Sequence, residues 1–224
     1  MPIPESTTCV IGDIHGCPHT LLALLEQVAS QAETIVFLGD YVDRGPNSKK
    51  VVSTILSLQE SSTPRIVPLM GNHDFLFMQY LMGEDTSVFL QVGGIQTLES
   101  YGLTPNSSQD EIIEKVPRSH RAFFQRLPLW WQNEHAIYVH AGLEPGRHLS
   151  QQTSQWCLWA REQFFQKKTN FGKPVIFGHT IFDEPFITPS CIGIDTGAVF
   201  DGFLTALLLP SMKTIRVPNL DKTD

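Results

Sequence analysis

Side chains able to bind metal ions and phosphate are grouped in five short segments of the 224-residue chain. The segments are 12–16 (GDIHG), 39–45 (GDYVDRG), 71–74 (GNHD), 140–143 (HAGL) and 178–180 (GHT), and they contain four of the eight histidines. Carboxylates, imidazoles and carboxamides bind hard or borderline divalent cations such as Mn²⁺, Fe²⁺, Zn²⁺ and Mg²⁺. No cysteine belongs to the set, which argues against a thiolate zinc site. Each segment alone would be an ordinary turn, but together they predict a metal site.

Each segment directly follows a short apolar run, which predicts a strand that is buried on both faces. The runs are 8–11, 34–38, 65–70, 136–139 and 174–177. Apolar residues at helical spacing in 19–29 and 48–58 predict helices between the first three strands, and therefore βαβ units. Ligands of open α/β sheets bind beyond the carboxyl ends of the strands. We therefore expect the five polar segments to converge on one site.

The rest of the chain predicts a helical lobe at about 75–135 and a second sheet. Helices are expected at 75–82 and 110–127, with an interruption at Pro117, and at 155–166. Trp130-Trp131 and Phe123-Phe124 are assigned to the core of the lobe, with lining of a ligand groove as the alternative. Strands of a second sheet packed on the first are expected at 191–194, 203–209 and 214–217.

Composition limits the classes of protein to which the chain can belong. With 42% apolar and 17% charged residues, it can bury a substantial core. A net charge of −7 and the lack of basic runs longer than the pairs Lys49-Lys50 and Lys167-Lys168 argue against dedicated nucleic-acid binding. No signal peptide or membrane span is recognisable, and the four cysteines form no CxxC pair. We expect one cytoplasmic, monomeric domain over 1–224, with buried and unpaired cysteines and no membrane partner.

In this order, the five segments resemble the signature of the calcineurin-like metallophosphoesterases. More narrowly, they resemble the phosphoprotein phosphatase family of serine/threonine phosphatases, in its short bacterial and phage form. The resemblance runs from Asp13 to about Thr196. It implies an α/β fold, a four-layer α/β/β/α sandwich in which two mixed sheets are flanked by helices.

The resemblance also implies a role for each matched residue. Two divalent ions are expected, with manganese preferred and iron, zinc or magnesium as alternatives. One ion would be bound by Asp13 and His15, both ions by Asp40 as a bridge, and the second ion by Asn72, His140 and His179. Arg44 would hold phosphate oxygens, His73 would protonate the leaving oxygen, and Asp43 would orient His73. A second phosphate-binding arginine is matched by Arg161.

The implied activity is a dimetal phosphatase that hydrolyses phosphate monoesters, protein phosphoserine or phosphothreonine first, with water activated between the metals. The alternative is a bis(5'-nucleosyl)-tetraphosphatase, because diadenosine tetraphosphate hydrolases carry similar segments. Asp43-Arg44-Gly45 favours the phosphatase branch, whereas Asp74 replaces the glutamate that is usual in eukaryotic phosphatases. The expected partner is thus a phosphoprotein or phosphopeptide, or a small phosphorylated nucleotide. A nuclease, a cyclic-nucleotide phosphodiesterase and a non-catalytic metal-binding scaffold also remain open.

Overall fold

The computed structural model describes residues 6–84, 87–167 and 170–222. The strands are β1 (Thr8–Ile11), β2 (Thr34–Phe37), β3 (Arg65–Pro68), β4 (Trp130–Gln132), β5 (Ile137–Val139), β6 (Val175–Phe177), β7 (Phe186–Ile187), β8 (Cys191–Gly193), β9 (Phe203–Leu209) and β10 (Lys213–Pro218). The helices are α1 (Pro18–Val28), α2 (Ser48–Gln59), α3 (Asn72–Leu81), α4 (Ser87–Phe89), α5 (Ile95–Ser100), α6 (Gln109–Lys115), α7 (Arg118–Arg126), α8 (Ser154–Trp159) and α9 (Glu162–Phe165). The predicted βαβ start of the chain is present as β1–α1–β2–α2–β3.

Within the described residues, the strands form two mixed sheets of five strands each, as the predicted fold class requires. The first sheet has the order β10-β9-β1-β2-β3, with β1, β2 and β3 parallel and β9 antiparallel to β1. The second has the order β4-β5-β6-β8-β7, with β5, β6 and β8 parallel. The carboxyl ends of the parallel strands therefore carry the polar segments.

Alternation of side chains along the strands produces three apolar layers. Val10 and Val36 of the first sheet pack against Tyr138 and Ile176 of the second, in the layer between the sheets. The opposite face of the first sheet is covered by α1, α2, α3 and α5–α7. The outer face of the second sheet packs against α8 and α9. The result is two sheets flanked by helices, confirming the predicted fold class.

The prediction that 203–209 and 214–217 belong to the second sheet is wrong. Strand β9 pairs with β1 in the register Thr8↔Leu209, and β10 pairs with β9, so both extend the first sheet. Six of the seven residues of β9 are buried, because helices cover one face and the second sheet covers the other. An apolar pattern of this kind predicts a central strand but does not identify its neighbours. Of the three runs, only that containing β8 lies in the second sheet.

The segment between β3 and β5 is largely helical, with the predicted interruption at Pro117 between α6 and α7. Phe123 and Phe124 are buried core residues, as predicted. The assignment of Trp130 and Trp131 to a helical core is wrong, because both lie in β4. That strand pairs antiparallel with β5, and Trp131 stacks on Tyr138 at 5.5 Å between ring centroids. At these two tryptophans, the preference of aromatic residues for strands therefore outweighs the helical character of the preceding segment.

All four cysteines lie in the described part of the chain, where they are buried and unpaired, as predicted. The predicted helix at 155–166 is broken into α8 and α9 around Ala160 and Arg161. Among the described residues, no helix is long and apolar enough to cross a lipid bilayer.

Candidate active site

The five polar segments converge at the carboxyl ends of the strands on a cavity of about 510 Å³. Seven of the ten predicted site residues line it: His15, Asp40, Arg44, Asn72, His73, Arg161 and His179. Asp43 and His140 lie directly behind this lining, and each contacts a lining residue through its side chain. Asp13 accepts a hydrogen bond from the backbone N–H of His179 at 3.0 Å. The structure thus brings all ten residues together.

Residues with a positive φ angle, the left-handed region of backbone conformation, are concentrated at the site. Among the described residues, seven non-glycine residues have a positive φ, and five of them are predicted site residues. Those five are His15, Asp40, Asp43, Arg44 and His179, with φ between 45° and 72°. Such conformations are unfavourable for residues with a Cβ and persist where the surrounding structure imposes them, often at functional sites. Tight turns after each strand thus aim these side chains at the cavity.

Asp40 occupies the centre of the site. Its Oδ2 atom lies 3.4 Å from His15 Nε2, and its Oδ1 atom lies 3.6 Å from His140 Nε2. His140 Nε2 is also 2.9 Å from Asn72 Oδ1. Two overlapping groups, His15–Asp40–His73 and Asp40–His140–His179, each have their ligand atoms within 4.8 Å of one another. Asp40 is common to both groups, which is the arrangement expected of a residue that bridges two cations.

The histidine tautomers suit metal binding. His15 Nδ1 donates to the carbonyl of Val42 at 2.8 Å, and His140 Nδ1 donates to the carbonyl of Leu38 at 3.0 Å. Each imidazole therefore keeps an unprotonated Nε2 facing Asp40. Burial lowers the pKa of His15 to about 3 and that of His179 to about 3. At neutral pH these rings are uncharged, which is the form that coordinates metals.

The Asp13 carboxylate is buried with too little positive charge around it. Burial and the neighbouring carboxylates of Asp195 and Asp40 raise the pKa of Asp13 well above its usual range. Among the described residues, Asp13 Oδ1 and His179 Nε2 are buried side-chain atoms with no hydrogen-bond partner. Unpaired buried acceptors and adjacent buried carboxylates are costly unless a cation binds them. The donor set therefore fits divalent cations, which Asp13, His15, Asp40, Asn72, His140 and His179 would hold.

Glycine allows the chain to approach these carboxylates closely. A Cβ atom at Gly178 would lie 2.1 Å from Asp13 Oδ1, and one at Gly71 would lie 2.1 Å from Asp40 Oδ1. Both distances are far below van der Waals contact, so a larger residue would displace a candidate ligand.

His73 and Asp43 form a hydrogen-bonded pair behind the cavity. His73 Nδ1 donates to Asp43 Oδ2 at 2.7 Å, and Thr97 Oγ1 donates to Asp43 Oδ1 at 2.7 Å. The carboxylate is therefore fixed on both oxygens, and it fixes the imidazole with Nε2 toward the cavity. This geometry matches that of a proton donor whose ring is oriented by a carboxylate.

Arg44 bridges His15 and His73 through its guanidinium group. Its Nη1 donates to His15 Nε2 at 2.6 Å, and its Nη2 donates to His73 Nε2 at 2.9 Å. Both Nη atoms are engaged by the imidazoles, so His73 Nε2 is an acceptor in this arrangement. The fork would grip two phosphate oxygens once it exchanges the imidazoles for substrate, which also frees His73 Nε2 to carry a proton. Arg161 is an exposed residue that also lines the cavity, and it lies at the break between α8 and α9.

Four further residues shape the site, although the sequence patterns gave them no role in it. Asp195 is buried and lines the cavity, and burial together with the Asp40 carboxylate raises its pKa to about 6. Its signal was available, because 193–197 (GIDTG) also follows an apolar strand. Asp74 accepts hydrogen bonds from the backbone N–H groups of Asp40, Tyr41 and Gly71. Thr97 donates a hydrogen bond to Asp43, and the carbonyl of Gly93 accepts one from the N–H of Arg44. No local sequence pattern identifies either residue.

The chain is similar in sequence to known phosphoesterases. The family described as calcineurin-like phosphoesterase matches residues 6–182. The asymmetrical bis(5'-nucleosyl)-tetraphosphatase PrpE of Geobacillus sp. (strain WCH70) is 30% identical over 238 aligned residues, covering 94% of this chain and 93% of that protein.

Solved structures share the fold. A protein described as a candidate diadenosine tetraphosphatase superposes with a TM-score of 0.72 at 23% identity, covering 99% of this chain and 97% of the other. The cold-active protein-tyrosine phosphatase of a Shewanella species gives a TM-score of 0.67 at 15% identity, covering 98% and 80%. At these identities the likeness shows the fold alone. The match over residues 6–182 shows the family, so the chain belongs to the calcineurin-like phosphoesterases and is a metallophosphoesterase hydrolase.

Proposed function

We propose that the protein is an asymmetrical bis(5'-nucleosyl)-tetraphosphatase, which splits a dinucleoside tetraphosphate into unequal products. The observation that carries this proposal is the similarity to the PrpE relatives, which extends over 94% of this chain and 93% of the relative. Sequence analysis placed phosphoserine and phosphothreonine first and this activity second. The PrpE relatives support the reverse order, because they match nearly the whole chain at up to 30% identity, whereas the solved protein-tyrosine phosphatase matches it at 15%.

The cavity supports this proposal by its size and its charge. About 510 Å³ exceeds the space that one phosphate group needs, and the lining combines Arg44 and Arg161 with apolar side chains. Two arginines can neutralise the equatorial oxygens of a polyphosphate, Arg44 as a bidentate fork. The apolar part of the lining leaves room for a nucleoside.

The protein's own groups would act in sequence on the bound substrate. Bound divalent cations would supply Lewis acidity toward phosphate and water, which is the part of the chemistry that no side chain here provides. Arg44 and Arg161 would hold the phosphoryl oxygens in place. His73 would present a proton at Nε2 to the departing oxygen and become neutral as it does so, while Asp43 orients the ring through Nδ1 and stabilises its protonated form before the transfer.

The test is the turnover of diadenosine tetraphosphate beside phosphoserine and phosphothreonine peptides by the Mn²⁺-loaded protein. We expect kcat/KM for the dinucleotide to exceed that for the peptides at least about tenfold, a difference of about 1.4 kcal/mol in transition-state binding. Ion-exchange chromatography should show equal amounts of AMP and ATP. The Asp40→Asn variant, purified in parallel, controls for contaminating hydrolases.

The possible outcomes separate the candidate functions. Two equivalents of ADP would contradict asymmetrical cleavage but keep the substrate class. A preference for peptides would overturn the proposal in favour of a protein phosphatase.

A further inference from the structure

Phe200 is an exposed aromatic ring in the lining of the catalytic cavity. The residue is 56% exposed, whereas seven of the 14 phenylalanines are buried and five more pack against the core. Val92, Val199 and Ile181 line the same cavity, and Ile181 is itself 49% exposed. The lining of an otherwise charged cavity therefore includes several apolar side chains, which is typical of a site that receives a partly apolar ligand.

The position of the ring is fixed by the backbone. Phe200 ends a 3₁₀ turn (Ala198–Phe200) that lies between two left-handed residues, Gly197 with φ 71° and Asp201 with φ 66°. The N–H of Phe200 donates to Gly197 O at 2.8 Å, and the N–H of Gly197 donates to Asp195 Oδ1 at 2.9 Å. The turn that presents the ring is thus anchored to a buried carboxylate of the site.

The ring lies next to the candidate phosphate-binding group. The Arg44 Cζ atom is 5.0 Å from the centroid of the Phe200 ring. The guanidinium lies over one face of the ring, so a planar base would stack on the exposed remainder of the ring, next to the group that binds an anionic phosphate. Phosphoserine and phosphothreonine carry no such planar group.

We propose that Phe200 is the platform on which a nucleobase of the substrate stacks, and that it is the residue that selects nucleotides over simple phosphate esters. This inference rests on the proposed function, whose substrate recognition it makes specific. Every base has a π-face, so an aromatic platform of this kind accepts adenine and guanine nucleotides alike.

A competing role for Phe200 is support of Arg44 through the cation–π contact. The two roles predict different results for ligands that share a phosphate but differ in the base. AMP carries a base and ribose 5-phosphate does not, so loss of stacking weakens only AMP. Displacement of Arg44 would weaken both ligands.

The experiment is isothermal titration calorimetry of AMP and ribose 5-phosphate with the full-length, Mn²⁺-loaded protein. Four variants are compared with the unmodified chain: Phe200→Ala, Phe200→Leu, Phe200→Trp and Phe203→Ala. Phe203 is a matched control, because it is 38% exposed and lies under Arg216 at 4.8 Å but does not line the cavity.

We expect Phe200→Ala and Phe200→Leu to raise the Kd of AMP about tenfold, the scale of one base–aromatic stack, with ribose 5-phosphate changed less than about twofold. Phe200→Trp should retain or improve AMP binding, and Phe203→Ala should leave both ligands unchanged. Equal weakening of both ligands in Phe200→Ala would overturn the proposal in favour of Arg44 support. An unmodified protein that binds AMP no more tightly than ribose 5-phosphate would overturn it as well.

The inference and the proposed function fail in different measurements. A protein that prefers phosphopeptides in turnover but keeps the AMP selectivity of Phe200 contradicts only the function. A protein that cleaves diadenosine tetraphosphate with unchanged kcat/KM in Phe200→Ala contradicts only the platform.

Discussion

We expect the imidazole of His73 to matter more for poor leaving groups than for good ones. Its Nδ1 atom is held by Asp43 at 2.7 Å, so its Nε2 atom can deliver a proton toward the cavity. An alkoxide leaves poorly unless it is protonated, whereas the terminal phosphate of a nucleotide leaves readily as an anion. We therefore expect His73→Ala to lower kcat for a phosphoserine peptide at least about 10²-fold, the usual scale of general acid catalysis. The loss for diadenosine tetraphosphate should be smaller.

Steady-state kinetics on both substrates, with metal content measured in the same samples, checks this prediction. Equal losses on the two substrates would remove the proton-donor role from His73.

Thr97 is predicted to act on catalysis through Asp43. Its hydroxyl donates to Asp43 Oδ1 at 2.7 Å, and the residue is fully buried. Thr97→Val keeps the shape but removes a hydrogen bond to a charged group, which contributes roughly 1.5 kcal/mol. We expect kcat to fall about tenfold with an unchanged KM. Thr97→Ser, which restores the hydroxyl, should recover most of the rate, and a variant as impaired as Thr97→Val would indicate a packing effect instead.

At the scale of the elements, the kinked segment Leu90–Gly94 between α4 and α5 positions Arg44. The N–H of Arg44 donates to Gly93 O at 3.0 Å, and a Cβ atom at Gly93 would lie 2.7 Å from Arg44 Cγ. Gly93 also has φ 113°, which residues with a side chain rarely adopt. We expect Gly93→Ala to lower kcat/KM at least about tenfold by displacing the guanidinium.

Gly146→Ala is the matched control for this prediction. Gly146 has φ 78°, but a Cβ atom there would meet nothing within 4 Å. Both variants should lose stability, as expected for alanine at positive φ, and thermal unfolding will measure that shared loss. Only Gly93→Ala should lose activity, so parallel losses of activity in both variants would contradict the role of the kinked segment.

His120 joins three helices and should make their packing sensitive to pH. It lies in α7, with Nδ1 2.8 Å from Tyr101 Oη of the turn after α5 and Nε2 3.3 Å from Ser53 Oγ of α2. Burial, and secondarily Lys49, lowers its pKa from 6.5 to about 4. Because the folded pKa lies below the unfolded one, the contribution of neutral His120 to stability is present above about pH 6.5 and is lost as pH falls toward 4.

Melting temperatures at pH 7, 6 and 5 will check this prediction. The unmodified protein should lose more stability across this range than His120→Gln, whose side chain does not titrate. Identical pH profiles would mean that other groups set the acid sensitivity.

The elements also show how far local sequence patterns reach. Each strand that ends in a polar segment was predictable, because its apolar run and its glycine punctuation are local features. The sheet that contains β9 was not predictable, because both faces of this strand are buried and its partner β1 is about 200 residues away along the chain. Thr97 and Gly93 were missed for a similar reason, since their roles depend on contacts with Asp43 and Arg44 some 50 residues earlier.

For the whole molecule, the buried charges predict that metal binding stabilises the fold. Asp13, Asp40 and Asp195 lie close together at the site, where burial and the other two carboxylates raise the pKa of Asp13. Without cations this repulsion opposes folding, and with cations it becomes attraction. Ligands at about 100 times their Kd add about 2.7 kcal/mol of stability.

We therefore expect exhaustive chelation to lower the melting temperature by roughly 5–10 °C, using about 2–4 °C per kcal/mol for a chain of this size. Two equivalents of Mn²⁺ should restore both the melting temperature and the activity, and Mn²⁺ should restore activity better than Zn²⁺ or Mg²⁺. Elemental analysis of the restored protein should find two ions per chain.

The Asp13→Asn variant separates a metal effect from a general effect of chelation. Removing one buried charge relieves repulsion from Asp195 and Asp40, so the metal-free variant should melt at a higher temperature than the metal-free unmodified protein. The same substitution removes a ligand, so Mn²⁺ should raise the melting temperature less in the variant. Calorimetry on both proteins should therefore show two differences. Without metal the variant melts at the higher temperature, and on addition of Mn²⁺ its melting temperature rises less than that of the unmodified protein. Equal responses to Mn²⁺ would exclude Asp13 from the metal site. If the metal-free variant were less stable than the metal-free unmodified protein, the carboxylate would contribute more to the stability of the fold than its repulsion costs.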